Sequence, residues 1–140
     1  MEYLCKVGTG PFELEAEYMS GTADTAGGDH DHEGYSIQGA YTIEQENKGD
    51  WEFVYRYSIV EGKGGTDLIS AKEIIRRANL ASASRLCDEF EQHYFGINYL
   101  FNGHDIKFML GYEMNELKDT EENGGSADMD GLRARMQFLF

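Results

Sequence analysis

Trp51-Glu52-Phe53-Val54-Tyr55-Arg56-Tyr57-Ser58-Ile59 places Trp51, Phe53, Tyr55, Tyr57 and Ile59 on one side of an extended chain. Glu52, Val54, Arg56 and Ser58 fall on the other side. A period of two is the mark of a strand whose faces meet different surroundings. The same pattern recurs at Ile106–Met114, where Ile106, Phe108, Leu110, Tyr112 and Met114 oppose Lys107, Met109, Gly111 and Glu113. It returns at the end of the chain, with Leu132, Ala134, Met136, Phe138 and Phe140 against Arg133, Arg135, Gln137 and Leu139.

Four more segments fit the template. Phe12, Leu14, Ala16 and Tyr18 alternate with Glu13, Glu15 and Glu17, and Tyr35–Ile43 and Phe95–Phe101 behave alike. Tyr3, Cys5 and Val7 against Glu2, Leu4 and Lys6 form the weakest case. About seven strands are therefore expected, each near the roughly 9–11 residues of a tilted membrane strand, the first two shorter.

Composition agrees. Seventeen glycines, one proline, nine tyrosines and eight phenylalanines in 140 residues suit long regular strands. A formal net charge of −14 argues against nucleic-acid binding, which needs a basic stripe to neutralise phosphates. No stretch reaches the roughly 20 apolar residues of a membrane-spanning helix. A mean hydropathy of −0.55 is nonetheless compatible with a barrel, whose strands are apolar on one face only.

The connections sort by length. Gly8–Gly10, Gln45–Gly49 and Asn102–Asp105 read as short turns, whereas Ser20–Glu33, Glu61–Glu89 and Asn115–Asp130 read as long loops. Short turns on one side and long loops on the other is the outer-membrane pattern, the short side being periplasmic. Ser70-Ala71-Lys72-Glu73 has capping-box spacing, so a helix bearing Ala71, Ile74, Ile75 and Ala78 on one face is expected in the middle loop. Packed on the barrel rim it would be structural; folded inward it would constrict the pore.

The two faces separate a membrane barrel from a soluble sandwich. The aromatic face carries no charge within these strands, as expected where each Arg or Lys would cost about 2–4 kcal/mol near the bilayer midplane. The opposite face holds Lys6, Arg56, Lys107, Arg133 and Arg135 with Glu2, Glu13, Glu15, Glu17, Glu52 and Glu113. So many charges cannot form a dry core. A water-filled lumen suits them. The alternative is a soluble β-sandwich binding module using its aromatic face, but Tyr18, Tyr35, Tyr57, Tyr99 and Tyr112 sit near strand ends, where interfacial girdles belong.

Arg56, Lys107, Arg133 and Arg135 are the candidate pore-lining bases, since basic side chains along a pore attract anions. Glu13, Glu15, Glu17, Glu52 and Glu113 are the candidate acidic lining, and they compete by pairing with those bases. Near balance predicts weak selectivity. The excess acid lies in the first and last long loops, which carry Asp24, Asp29, Asp31 and Glu33, then Glu116, Asp119, Glu121, Glu122, Asp128 and Asp130 against Lys118 alone. Asp29-His30-Asp31-His32-Glu33 has metal-ligating types but reads better as a solvated loop tip. Cys5 and Cys87 read as free thiols. No motif calls for a cofactor, a resident metal or catalysis.

Gly10-Pro11-Phe12-Glu13-Leu14-Glu15-Ala16-Glu17-Tyr18-Met19 resembles a strand of the phosphate-selective porin O and P family. So do Gly34-Tyr35-Ser36-Ile37-Gln38-Gly39-Ala40-Tyr41, the Trp51 strand, Phe95–Asn102 as a penultimate hairpin, and Leu132–Phe140 as a closing strand. The resemblance implies a homotrimeric antiparallel barrel of ~16 strands around an aqueous channel, in contact with outer-membrane lipid and lipopolysaccharide. Small anionic or neutral solutes would pass through it. It also implies that Phe138 and Phe140 form the terminal signal for membrane insertion. Seven strands cannot close such a barrel, and Met1–Lys6 does not resemble a signal peptide, so residues 1–140 are expected to be the C-terminal part of one barrel domain.

Overall fold

The computed structural model describes residues 1–25, 28–46, 48–63, 68, 88–101, 106–118 and 126–138. They form β1 (Glu2–Thr9), β2 (Phe12–Thr25), β3 (Gly28–Ile43), β4 (Asp50–Gly62), β5 (Glu89–Phe101), β6 (Ile106–Lys118) and β7 (Ser126–Phe138). All seven belong to one antiparallel sheet in sequence order, with β1 and β7 at its edges. The described residues contain no helix and no second sheet. The aromatic face is consequently not packed as in a sandwich: Phe53 is 42% exposed and Leu110 49%.

The register keeps the two faces pure across the sheet. One row reads Phe12, Tyr41, Phe53, Ile97, Leu110 and Ala134. A row three residues away, on the opposite face, reads Lys6, Glu15, Gln38, Arg56, Tyr94 and Glu113. A slip of one residue in any pair would bring charge onto the apolar face, so the pattern itself enforces the pairing. The β1–β2 turn is tight because Gly10 takes a φ of 55° and Pro11, with its fixed φ, follows it.

Several strands run further than the alternation foretells. Ser20–Glu33 is not a long loop, since β2 and β3 pair from Phe12↔Tyr41 up to Thr25↔Gly28. Likewise β6 extends to Lys118 and β7 starts at Ser126, which shortens the last connection. In the β2–β3 extension both faces are polar, so the chain keeps its ladder while losing the hydrophobic alternation that would reveal it. The expected helix at residues 70–78, Cys87 and Phe140 lie outside the described residues.

Candidate functional site

The apolar face forms a band rather than a uniform sheet. At the loop end its last apolar residues are Tyr18 on β2, Tyr35 on β3 and Ile59 on β4, which share one row. That row continues as Glu91, Glu116 and Asp128. On β7 the apolar run begins only at Leu132, four residues below Asp128. The boundary thus falls by four residues over five strand steps, or ~13 Å over ~24 Å at usual strand spacings. For the boundary to lie in a plane, the strands must tilt by about 30°, close to the range of membrane barrels. Trp51 to Ile59 spans about 26 Å along its strand, or roughly 23 Å after tilting, near the height of an outer-membrane apolar band.

Tyrosines mark both edges of this band, and their hydroxyls find polar partners just beyond it. Tyr18 donates to Glu33 Oε2 at 3.1 Å, Tyr112 donates to Asp130 Oδ2 at 2.9 Å, and the Tyr55 hydroxyl lies 2.9 Å from His93 Nδ1. At the turn end Tyr99 packs against Trp51, with ring centroids 4.8 Å apart, and its hydroxyl accepts from the Gly49 amide at 3.1 Å. A Cβ at Gly49 would lie 2.6 Å from both Leu100 O and Tyr99 Cζ, so only glycine fits under that ring. An aromatic body in lipid with its polar tip in water is the arrangement of an interfacial girdle.

Above the band, charges pair across the ladder. Lys63 Nζ lies 2.9 Å from Glu33, and their hydrogen bond holds the Glu33 carboxyl below its usual range and raises Lys63. Lys118 lies 2.7 Å from Glu91 and 3.0 Å from Glu89. These bonds lower Glu91 and raise Lys118. The Asp29–Glu33 run belongs to β3 rather than a loop tip, and alternation sets His32 on the opposite face from Asp31 and Glu33. Among the described residues no group of three His, Cys, Asp or Glu side chains is placed to hold a metal ion. Cys5, also on the apolar face, is an exposed free thiol.

The polar face carries all nine candidate lining residues. Lys6 lies 2.6 Å from Glu13 and 3.8 Å from Glu15. Lys107 lies 3.3 Å from Glu52, which also accepts from Asn98 Nδ2 at 2.5 Å. Arg133 reaches both oxygens of the nearly buried Glu113 at 3.0 Å. Arg56 and Arg135 have no carboxylate partner among the described residues, and neither has Glu17 a basic one. Arg56 instead donates to Gln92 Oε1 at 3.3 Å, with its guanidinium carbon 5.4 Å from the Tyr94 ring centroid.

A charged face on a single sheet, backed by a tilted band of apolar side chains with tyrosine borders, has the two surfaces that a wall between lipid and water requires. Residues 5–140 match the family of phosphate-selective porins O and P. The chain belongs to that family. Its members are outer-membrane channels, a class distinct from enzymes. No curated protein and no solved structure matches the chain.

Two features of this porin wall escape the alternation. The polar face carries an apolar patch at its loop end, where Leu117 is 1% exposed and packs with Leu68, Val60, Phe90, Ala127 and Met129. Leu68, from the segment between β4 and β5, therefore docks on the polar face and not on the apolar one. Gln92 and Tyr94, which hold Arg56, are the second omission. A long-range register, not any local motif, brings them together.

Proposed function

We propose that the chain forms part of the wall of an outer-membrane diffusion channel, apolar face to lipid and polar face to water. Small hydrophilic solutes would cross passively, with anions such as phosphate favoured. The observation that carries this reading is the tilted apolar band, which a soluble sheet has no reason to maintain. In this assignment Arg56, Lys107, Arg133 and Arg135 line the pore with Glu13, Glu15, Glu17, Glu52 and Glu113. Pairing mutes Lys107 and Arg133, so Arg56 and Arg135, which have no carboxylate partner among the described residues, carry more of the anion preference than their number implies.

The remaining wall comes from further strands that pair with the sheet edges at β1 and β7. Lipid and lipopolysaccharide contact the apolar face, three copies assemble, and Phe138 and Phe140 serve insertion. Two measurements test the reading. The full-length protein should appear in the detergent-extracted outer membrane and open ohmic channels in planar bilayers. Recovery in the soluble fraction without detergent would end it.

A further inference from the structure

Arg56 stands out on the polar face because its surroundings hold it without neutralising it. Its neighbour across the β4–β5 ladder is Tyr94, and beyond Tyr94 lies Glu113. Two strand spacings, about 10 Å between Cα atoms, separate Arg56 from that carboxylate, within reach of two long side chains. Yet Glu113 bonds Arg133, and Arg56 lies over the Tyr94 ring. The aromatic ring, and not the carboxylate, is what the guanidinium meets.

The tyrosine is itself seated by backbone. Gly96 and Gly111 face each other in the β5–β6 register on the polar side. A Cβ on Gly96 would lie 2.8 Å from Tyr94 Cε1, and one on Gly111 would overlap the other edge of the ring. The paired glycines thus make a slot in which the ring lies flat against the sheet. An oriented amide chain completes the support: Arg56 donates to Gln92 Oε1, Gln92 Nε2 donates to Asn115 Oδ1 at 2.8 Å, and Asn115 Nδ2 donates to Met129 O at 3.0 Å. Asn115 fixes which way the Gln92 amide points, and so presents an oxygen and not an NH2 group to the guanidinium. Arg56 Nε is buried and without a partner.

We propose that Tyr94, seated over Gly96 and Gly111, is a positioning residue that keeps Arg56 out of ion pairs and available to passing anions. Cation–π attraction holds a guanidinium without cancelling its charge, unlike a carboxylate. The proposal rests on the channel reading above and names the device by which a wall of nearly balanced charge keeps one cation active.

The test is the reversal potential of the full-length protein in planar bilayers under a potassium chloride gradient, for Arg56→Gln, Tyr94→Ala, Tyr94→Phe and the Arg56→Gln/Tyr94→Ala pair. Tyr94→Ala should lower the anion-to-cation permeability ratio by at least half of the change that Arg56→Gln produces. Tyr94→Phe, which keeps the ring, should behave as wild type, and Tyr94→Ala should add nothing once Arg56 is gone. Should Tyr94→Ala fail to assemble, Tyr94→Leu fills the slot without a π-face and should show the same loss. An unchanged ratio in Tyr94→Ala or Tyr94→Leu, or additive effects in the pair, would overturn the positioning role while leaving the channel intact. A wild-type protein that opens no channel would overturn the reading beneath it.

Discussion

Leu110 lies at the centre of the apolar run on β6, with Phe108 and Tyr112 on either side, and is half exposed on that face. Met109, its chain neighbour, points to the opposite face in a row with Asn98 and Arg135. Arginine at these two adjacent positions therefore samples two different solvents. In lipid near the midplane, Leu110→Arg should cost about 2–4 kcal/mol. That corresponds to roughly a 30- to 900-fold change in the folding equilibrium. Met109→Arg meets water on the polar face, across the ladder from Arg135, and should stay within about 1 kcal/mol of wild type even with that like-charge neighbour. The assay is denaturant unfolding of the full-length protein in lipid vesicles, followed by tryptophan fluorescence. Equal costs at the two positions, or a larger cost at Met109, would refute the assignment of faces.

Three further outcomes follow from particular contacts. Gly49→Ala forces a methyl group against Leu100 O and the Tyr99 ring and should destabilise the folded protein by about 1–3 kcal/mol, read in the same unfolding assay. Glu113→Gln removes the partner of Arg133 and should raise the anion-to-cation permeability ratio; an unchanged reversal potential would mean that this pair lies away from the ion path. The third concerns pH. Glu33 and Glu91 titrate below the ordinary carboxyl value of about 4.3, so their bonds to Lys63 and Lys118 favour the folded strand extensions above that pH. The contribution should fade as pH falls through the lowered values, and amide protection in the β2–β3 extension, normalised for intrinsic exchange, should fall below about pH 4.

What the sequence makes legible here is whatever the bilayer imposes. Between Trp51 and Ile59, or Ile106 and Met114, an apolar and a polar face are written directly into the residues as alternation, as lipid on one side and water on the other would require. Parity alone then assigns Arg56, Lys107 and Arg133 to one face, and the register bears that out. Beyond the band neither face of the β2–β3 pair is apolar, and the alternation stops although the ladder does not. Ser20–Thr25 and Gly28–Glu33 accordingly look like loop while forming strand, held by pairs such as Thr22 Oγ1 donating to Asp31 at 2.6 Å. Tilt is also invisible locally. It emerges only when Tyr18 and Asp128 are found in one row, a fact of register across six strands. The Leu117 patch was hidden for a related reason, since an apolar residue on a polar face looks like a lapse in the pattern until Leu68 covers it.

Charge counting along the polar face leads to a different expectation than geometry does. Its bases and acids nearly balance, and a uniformly mixed wall would discriminate little between anions and cations. Pairing changes that arithmetic. Lys6 with Glu13, Lys107 with Glu52, and Arg133 with Glu113 form contacts of 2.6 to 3.3 Å, far shorter than the Debye length of about 8 Å at physiological salt. An ion several ångströms away meets each pair as a weak dipole. A guanidinium held on an aromatic ring keeps its full charge, so in the proposed channel the field should be set by the groups left unpaired among the described residues and not by the total. Of these, Arg56 lies on a central strand flanked by paired neighbours, whereas Arg135 lies on the edge strand β7, whose outer ladder would face the next strand of the barrel. Selectivity in this wall should therefore follow the seating of Arg56, and substitutions that move net charge elsewhere should matter chiefly when they break or make a pair.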